Sequence, residues 1–223
     1  MGNITGDAGY FESQWIKFNA SALSAVGKAT PMCSEGAGTA PKACWSSETF
    51  SFLNTSTHLF YRNGPRDHVY WARGNGWAIS ALVSAIEHGL RDPYRARYID
   101  IYKLQAAELK AIQGADGAWF SSLLDGKGYP VPETTGTANF AYALAWGVNA
   151  KLLPAAEYLP VVEKAWAWLS TTALHPNGFV GNCQPGGGSP ENNFGSNSTS
   201  NFCVGQFLLA ASQVSRLSAA IAG

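Results

Sequence analysis

The chain has 223 residues, 46% of them apolar and 13% aromatic, and 15 basic residues balance 15 acidic ones. That composition suffices for a hydrophobic core and places the chain among globular proteins. The charge balance leaves no global field for nucleic acid or an anionic membrane, and no apolar run reaches the roughly 18 residues that span a bilayer.

The opening Met1 to Asp7 lacks the charged start and apolar stretch of a secretory signal. Residues 8–26 read as an outer, amphipathic helix whose inner partner is expected before Met1. Cys33 and Cys44 flank a loop of glycine, alanine and proline, and Cys183 and Cys203 flank one of glycine, serine and asparagine. The two pairs are disulfide candidates, and the even count suits a disulfide-permissive compartment. None has the two-residue spacing of a zinc or redox pair, so no metal is expected. Asn3, Asn19, Asn54 and Asn197 begin Asn-X-Ser/Thr sequons. Together these traits point to a secreted protein, with the true N-terminus expected upstream.

The most informative stretch is Trp71-Ala72-Arg73-Gly74-Asn75-Gly76-Trp77. Its glycines suggest a sharp turn into the apolar run that follows. Two indoles offer flat faces and the arginine a fork for a carboxylate, a way to grip an anionic carbohydrate at the mouth of a helix. The alternative is a tight turn with a core tryptophan and a structural arginine.

From here the pattern repeats. Residues 76–88, 137–149 and 202–217 read as inner helices, apolar nearly all round. Residues 94–113 and 155–173 read as outer helices with an apolar stripe. Asp116-Gly117-Ala118-Trp119 and Pro176-Asn177-Gly178-Phe179 each read as a turn into a short strand. Corresponding points such as Trp77 and Phe140 recur at about 60 residues, the signature of a helical toroid. Six such hairpins would need on the order of 360 residues. The fold expected over residues 1–223 is therefore all-α: a single, N-terminally truncated (α/α)6 barrel, with short strands in its loops and inner-helix surface exposed.

In order along the chain come Thr5-Gly6-Asp7, Leu59-Phe60-Tyr61-Arg62, the Trp71–Trp77 stretch, Asp116-Gly117-Ala118-Trp119 and Glu133-Thr134-Thr135-Gly136-Thr137-Ala138. They are followed by Ala143-Leu144-Ala145-Trp146-Gly147-Val148-Asn149 and Gly205-Gln206-Phe207-Leu208-Leu209-Ala210. In these motifs the chain resembles the glycoside hydrolase 88/105 group, specifically the unsaturated rhamnogalacturonyl hydrolases of family 105. The resemblance implies an (α/α)6 barrel and a substrate of lyase-cut pectin fragments ending in a 4,5-unsaturated uronic acid. It implies that an aspartic acid protonates the vinyl ether, water adds, and the hemiketal opens to free the neighbouring sugar. No carboxylate pair is then needed, only one acid of raised pKa. That aspartate is expected in an Asp-x-Leu-(Phe/Tyr)-Met segment upstream of Met1, and Asp7 is read as part of a turn.

The resemblance makes Trp71, Arg73 and Trp77 substrate-binding candidates, with Arg62 and His68 as polar groups near the same mouth. Arg73 would hold the uronate carboxylate while the indoles stack on the ring. Asn75 and Gly76 are expected to shape the turn, and Thr134 or Thr135 to cap an inner helix. Glu133 is either a helix-stabilising charge or the best remaining carboxylate at that end. Asp116 and Asn177 read as turn residues, and Trp146, Trp166 and Trp168 as packing. No cofactor is expected, and the partner is an oligosaccharide. Three functional readings follow: an unsaturated uronyl hydrolase, a non-catalytic carbohydrate-binding remnant of that fold, and a conventional two-carboxylate glycosidase.

Overall fold

A computed structural model describes residue 54 and residues 56–60, 69–88 and 94–222. The readings at Asn3, Asn19, Cys33, Cys44, Arg62 and His68, and the helix over 8–26, lie outside the described residues.

Among the described residues five helices follow one another: α1 (Ala72–Glu87), α2 (Tyr94–Ala111), α3 (Thr134–Asn149), α4 (Ala155–Trp168) and α5 (Asn201–Ala222). A π turn, Leu169–Ala173, extends α4 to the end expected for the second outer helix. The inner helices form a row in which α3 packs between α1 and α5, with α2 behind α1 and α4 behind α3. This is the inner-and-outer order of a partial toroid.

Position in that row explains the sequence of each helix. α3 has neighbours on most sides, so nearly all its residues are buried and its face is built from Ala138, Phe140, Ala141, Leu144 and Ala145. α2 buries one stripe, Tyr98, Tyr102, Ala106 and Leu109, at helical spacing. α5 buries Cys203, Phe207, Ala210 and Leu217, while Leu208 and Leu209 remain 61% and 42% exposed. The tryptophans expected to pack do so: Trp146 meets Tyr102 edge-on at 5.5 Å, Trp166 lies 5.4 Å from Phe207, and Trp168 is buried.

The two turn motifs repeat in geometry as well as in sequence. Asp116 Oδ1 accepts from Ala118 N, and Asn177 Oδ1 accepts from Phe179 N. Gly117 and Gly178 follow with φ of 102° and 85°, a conformation that tolerates a side chain poorly. The expected strands are not formed among the described residues. Single antiparallel bridges, Trp71 with Ser122, Phe120 with Pro132 and Leu174 with Val180, stand in their place.

Candidate functional site

The Trp71–Trp77 stretch is not a loop. Trp71 is the N-cap and residues 72–77 are the first turns of α1, so this inner helix begins four residues before the expected start at Gly76. Its glycines serve close approach instead of a turn. A Cβ on Gly76 would come 2.7 Å from Asn139 Cβ, and one on Gly136 would come 2.7 Å from Ala72 Cβ. The heads of α1 and α3 are thereby drawn together, and Asn139 Oδ1 accepts from Ser80 Oγ across the seam at 2.7 Å.

The segment 118–123 fixes the head of α1. Ala72 N donates to Ser121 O and Leu123 N to Tyr70 O. Asn75 clamps the other side. Its Oδ1 accepts from Phe60 N at 2.8 Å, and its Nδ2 donates to Phe60 O and Trp71 O. Asn75 shapes the start of the helix, as expected, and holds Phe60 against it.

Arg73 is 1% exposed. Its Nη1 donates to Pro185 O at 2.9 Å, its Nη2 donates to Gln184 O, and Glu133 Oε1 stands 3.6 Å from Nη2. The guanidinium carbon lies 5.3 Å from the Trp71 ring centroid and 4.4 Å from that of Phe202, so aromatic rings flank the cation. Burial lowers the Arg73 pKa from its ordinary value, and the charges of Glu133 and Glu191 oppose that shift. Among the described residues Nε–H has no hydrogen-bond partner. A guanidinium carries five N–H donors, and among the described residues two are committed to carbonyls.

Glu133 caps α3, which begins at Thr134, three residues before the expected 137. Its carboxylate, not a threonine hydroxyl, does the capping: Oε1 accepts from Thr135 N and Oε2 from Gly136 N. Thr134 Oγ1 instead donates to Gly181 O. Glu133 Oε1 also accepts from Gln184 N at 3.1 Å. A buried carboxylate at a helix N-terminus, with three backbone donors and a cation beside it, fits its surroundings electrostatically.

Trp71 is nearly buried and donates its indole N–H to Gln184 Oε1 at 3.0 Å. Trp77, one helical turn beyond Arg73, packs edge-on against Trp71 at 5.5 Å and keeps part of its ring in solvent. The structure therefore brings Trp71, Arg73 and Trp77 together. Gln184, Phe202 and Glu191 were not singled out from sequence, because they lie more than a hundred residues away. The available signal was that Gln184 follows Cys183 and Phe202 precedes Cys203, and these cysteines form the expected disulfide. Of the described sequons, Asn54 Nδ2 donates to Tyr70 Oη at 2.7 Å, whereas Asn197 is exposed in a turn.

The sequence profile of Glycosyl Hydrolase Family 88 matches residues 53–218. The chain belongs to glycosyl hydrolase family 88. An unsaturated 3S-rhamnoglycuronyl hydrolase of Formosa agariphila is 38% identical over 150 residues, covering 67% of this chain and 39% of that protein. A solved family 88 glycosyl hydrolase from Bacteroides vulgatus superposes with a TM-score of 0.69 at 38% identity, over 73% of this chain and 51% of its own. A solved chain described as a polysaccharide lyase superposes equally well, at 0.69 and 42% identity, over 74% and 50%. This family 88 chain thus spans about two-fifths of the curated relative and about half of the solved structures.

Proposed function

We propose that this family 88 chain serves a glycoside hydrolase acting on 4,5-unsaturated uronyl oligosaccharides. In this reading Arg73 takes the uronate carboxylate and Trp77 lies along the sugar ring. One observation carries the reading. A guanidinium whose Nε–H has no partner among the described residues sits one helical turn from a partly exposed indole at the head of an inner helix. A carboxylate meeting Nε–H and a free Nη–H would form a bidentate pair, which is the strong form of this contact. Pro185, exposed on the loop above, is the group such a ligand would displace.

The chemistry is hydration. A proton is added to the double bond, water supplies the hydroxyl at carbon 5, and the resulting hemiketal opens to release the neighbouring sugar. We assign the proton donor to no described residue. Glu133 is a poor candidate, since its oxygens already accept three backbone N–H groups. The same engagement speaks against a two-carboxylate glycosidase; the second reading put to the test is that the chain binds such sugars without turnover.

The Formosa agariphila relative's name supports an unsaturated uronyl end next to rhamnose. We therefore propose rhamnogalacturonan fragments as substrate, with rhamnoglycuronyl fragments as the comparison. An oxidising, extracellular setting is proposed as well, supported by the Cys183–Cys203 disulfide. The test is to incubate the chain with lyase-treated glycan and follow the ultraviolet absorbance of the double bond. Hydrolysis lowers it. A rise on intact glycan would mean that double bonds are being made, as a lyase does, and would overturn the proposal. Affinity without turnover, lost in Arg73→Ala, would select the second reading.

A further inference from the structure

The site contains a residue whose polar groups are all committed to its neighbours. Gln184 donates its backbone N–H to Glu133, accepts from Arg73 at its carbonyl, accepts from the Trp71 indole at Oε1, and donates from Nε2 to Ser189 O at 2.6 Å. It therefore touches the aromatic, the cation and the anion of the site, and also the loop that covers them. The Phe202 ring also lies against the guanidinium, its centroid 4.4 Å from the guanidinium carbon. The residues next to these two, Cys183 and Cys203, are joined by a disulfide with Cα atoms 6.1 Å apart. One covalent bond thus ties the residue whose carbonyl accepts from Arg73 to the residue whose ring packs on it.

We infer that Gln184 is a positioning residue for Arg73 and Trp71, and that the Cys183–Cys203 bond holds it in place. The loop alone would not do this. Gly186, Gly187 and Gly188 follow after Pro185, and residues 185–188 are exposed, so little packing restrains that segment. The disulfide closes the loop behind them, and Cys183 N donates to Ser198 O inside it at 2.9 Å. With the bond intact the acceptors meet the guanidinium without further ordering, the usual benefit of preorganisation. This inference rests on the proposed role of Arg73 toward a uronate, but the positioning itself can be read without any sugar.

The test labels arginines with phenylglyoxal and measures each site by peptide mapping, with the exposed Arg95 as internal reference. In the folded wild-type chain Arg73 should label far more slowly than Arg95. In Cys183→Ser/Cys203→Ser, and separately in Gln184→Leu, which keeps the disulfide, Arg73 labelling should rise about tenfold while Arg95 is unchanged. Gln184→Glu retains the acceptor for Trp71 and should restore most of the protection. Unchanged labelling in both the double-serine and leucine variants would overturn the inference. Titration with an unsaturated uronyl disaccharide is the second readout, with affinity expected to fall about tenfold in the same two variants. A wild-type chain that binds no such sugar would sink the functional reading, and the labelling rates would still decide the positioning.

Discussion

Arg73 near the head of α1 and Glu133 at the head of α3 stand 3.6 Å apart, with side chains 1% and 0% exposed. Burying two charges is costly, and their attraction repays this only where hydrogen bonds satisfy the remaining atoms. Glu133 meets that condition through its three backbone donors. Removing the carboxylate should therefore do more than delete one contact. Glu133→Ala strips the α3 cap and leaves Arg73 without its anion, and we expect a loss of about 4 kcal/mol. Glu133→Gln keeps an acceptor for the helix and should lose about half of that. Urea unfolding of the three proteins decides the matter, and identical midpoints would mean that the pair contributes nothing to the fold.

The two indoles should separate binding from folding. Trp71 is buried, with its N–H bonded to Gln184, so Trp71→Ala should cost about 3–5 kcal/mol of stability. Trp77 keeps part of its ring in solvent, and Trp77→Ala should leave the unfolding midpoint nearer to wild type. If Trp77 lies along the sugar, its loss should weaken oligosaccharide affinity about tenfold, or about 1.4 kcal/mol. Calorimetric titration and thermal unfolding, run on both variants, give the two columns needed. Equal affinity in Trp77→Ala and wild type would remove that indole from the site.

How much of this could be read from residues alone depends on the range of the forces involved. The inner and outer helices were legible because burial imposes a period, seen in the stripe Tyr98, Tyr102, Ala106 and Leu109. The turns at Asp116 and Asn177 were legible because side chain and backbone two residues apart close them. The glycines of the Trp71–Trp77 stretch misled for the opposite reason. Gly76 is small because Asn139 on another helix lies against it, and such a contact leaves no local trace. Gln184 and Phe202 escaped notice for the same cause, although their cysteine neighbours marked the place.

Alkaline pH should weaken the fold through Tyr102. Burial pushes its pKa well above the ordinary value, and Tyr158 and Tyr142 push the same way. Its hydroxyl donates to Ala143 O at 2.7 Å, a bond that requires the proton. The folded chain thus keeps a proton that the unfolded chain releases near pH 10, at about the free tyrosine value. Stability is complete below that pH and falls as pH rises above it. Tyr142 and Tyr158, both raised chiefly by burial, add to the loss with the same sign. Tyr102→Phe should be about 1 kcal/mol less stable at neutral pH, yet decline less steeply in base. Urea midpoints taken from about pH 8 to about pH 11 test this, since the window opens at the free tyrosine pKa. A wild-type profile flat across that range would contradict it.

Gly76→Ala sets helix propensity against packing. Alanine is favoured over glycine by about 1 kcal/mol in a helix interior, so sequence alone predicts a gain. The new methyl, however, would lie 2.7 Å from Asn139 Cβ and 3.0 Å from its Cγ and Nδ2. Asn139 has little freedom to retreat, because Nδ2 donates to Thr135 O and Oδ1 accepts from Ser80 Oγ. The overlap must be relieved by moving α1 away from α3 or by breaking those bonds. Either response belongs with overpacking, which costs about 1–3 kcal/mol and exceeds the propensity gain. The net expectation is a loss of stability together with a displaced Arg73, one turn earlier on the same helix. Chemical unfolding gives the first, and faster phenylglyoxal labelling of Arg73 reports the second. A more stable variant would show that the seam between α1 and α3 is looser than its geometry indicates.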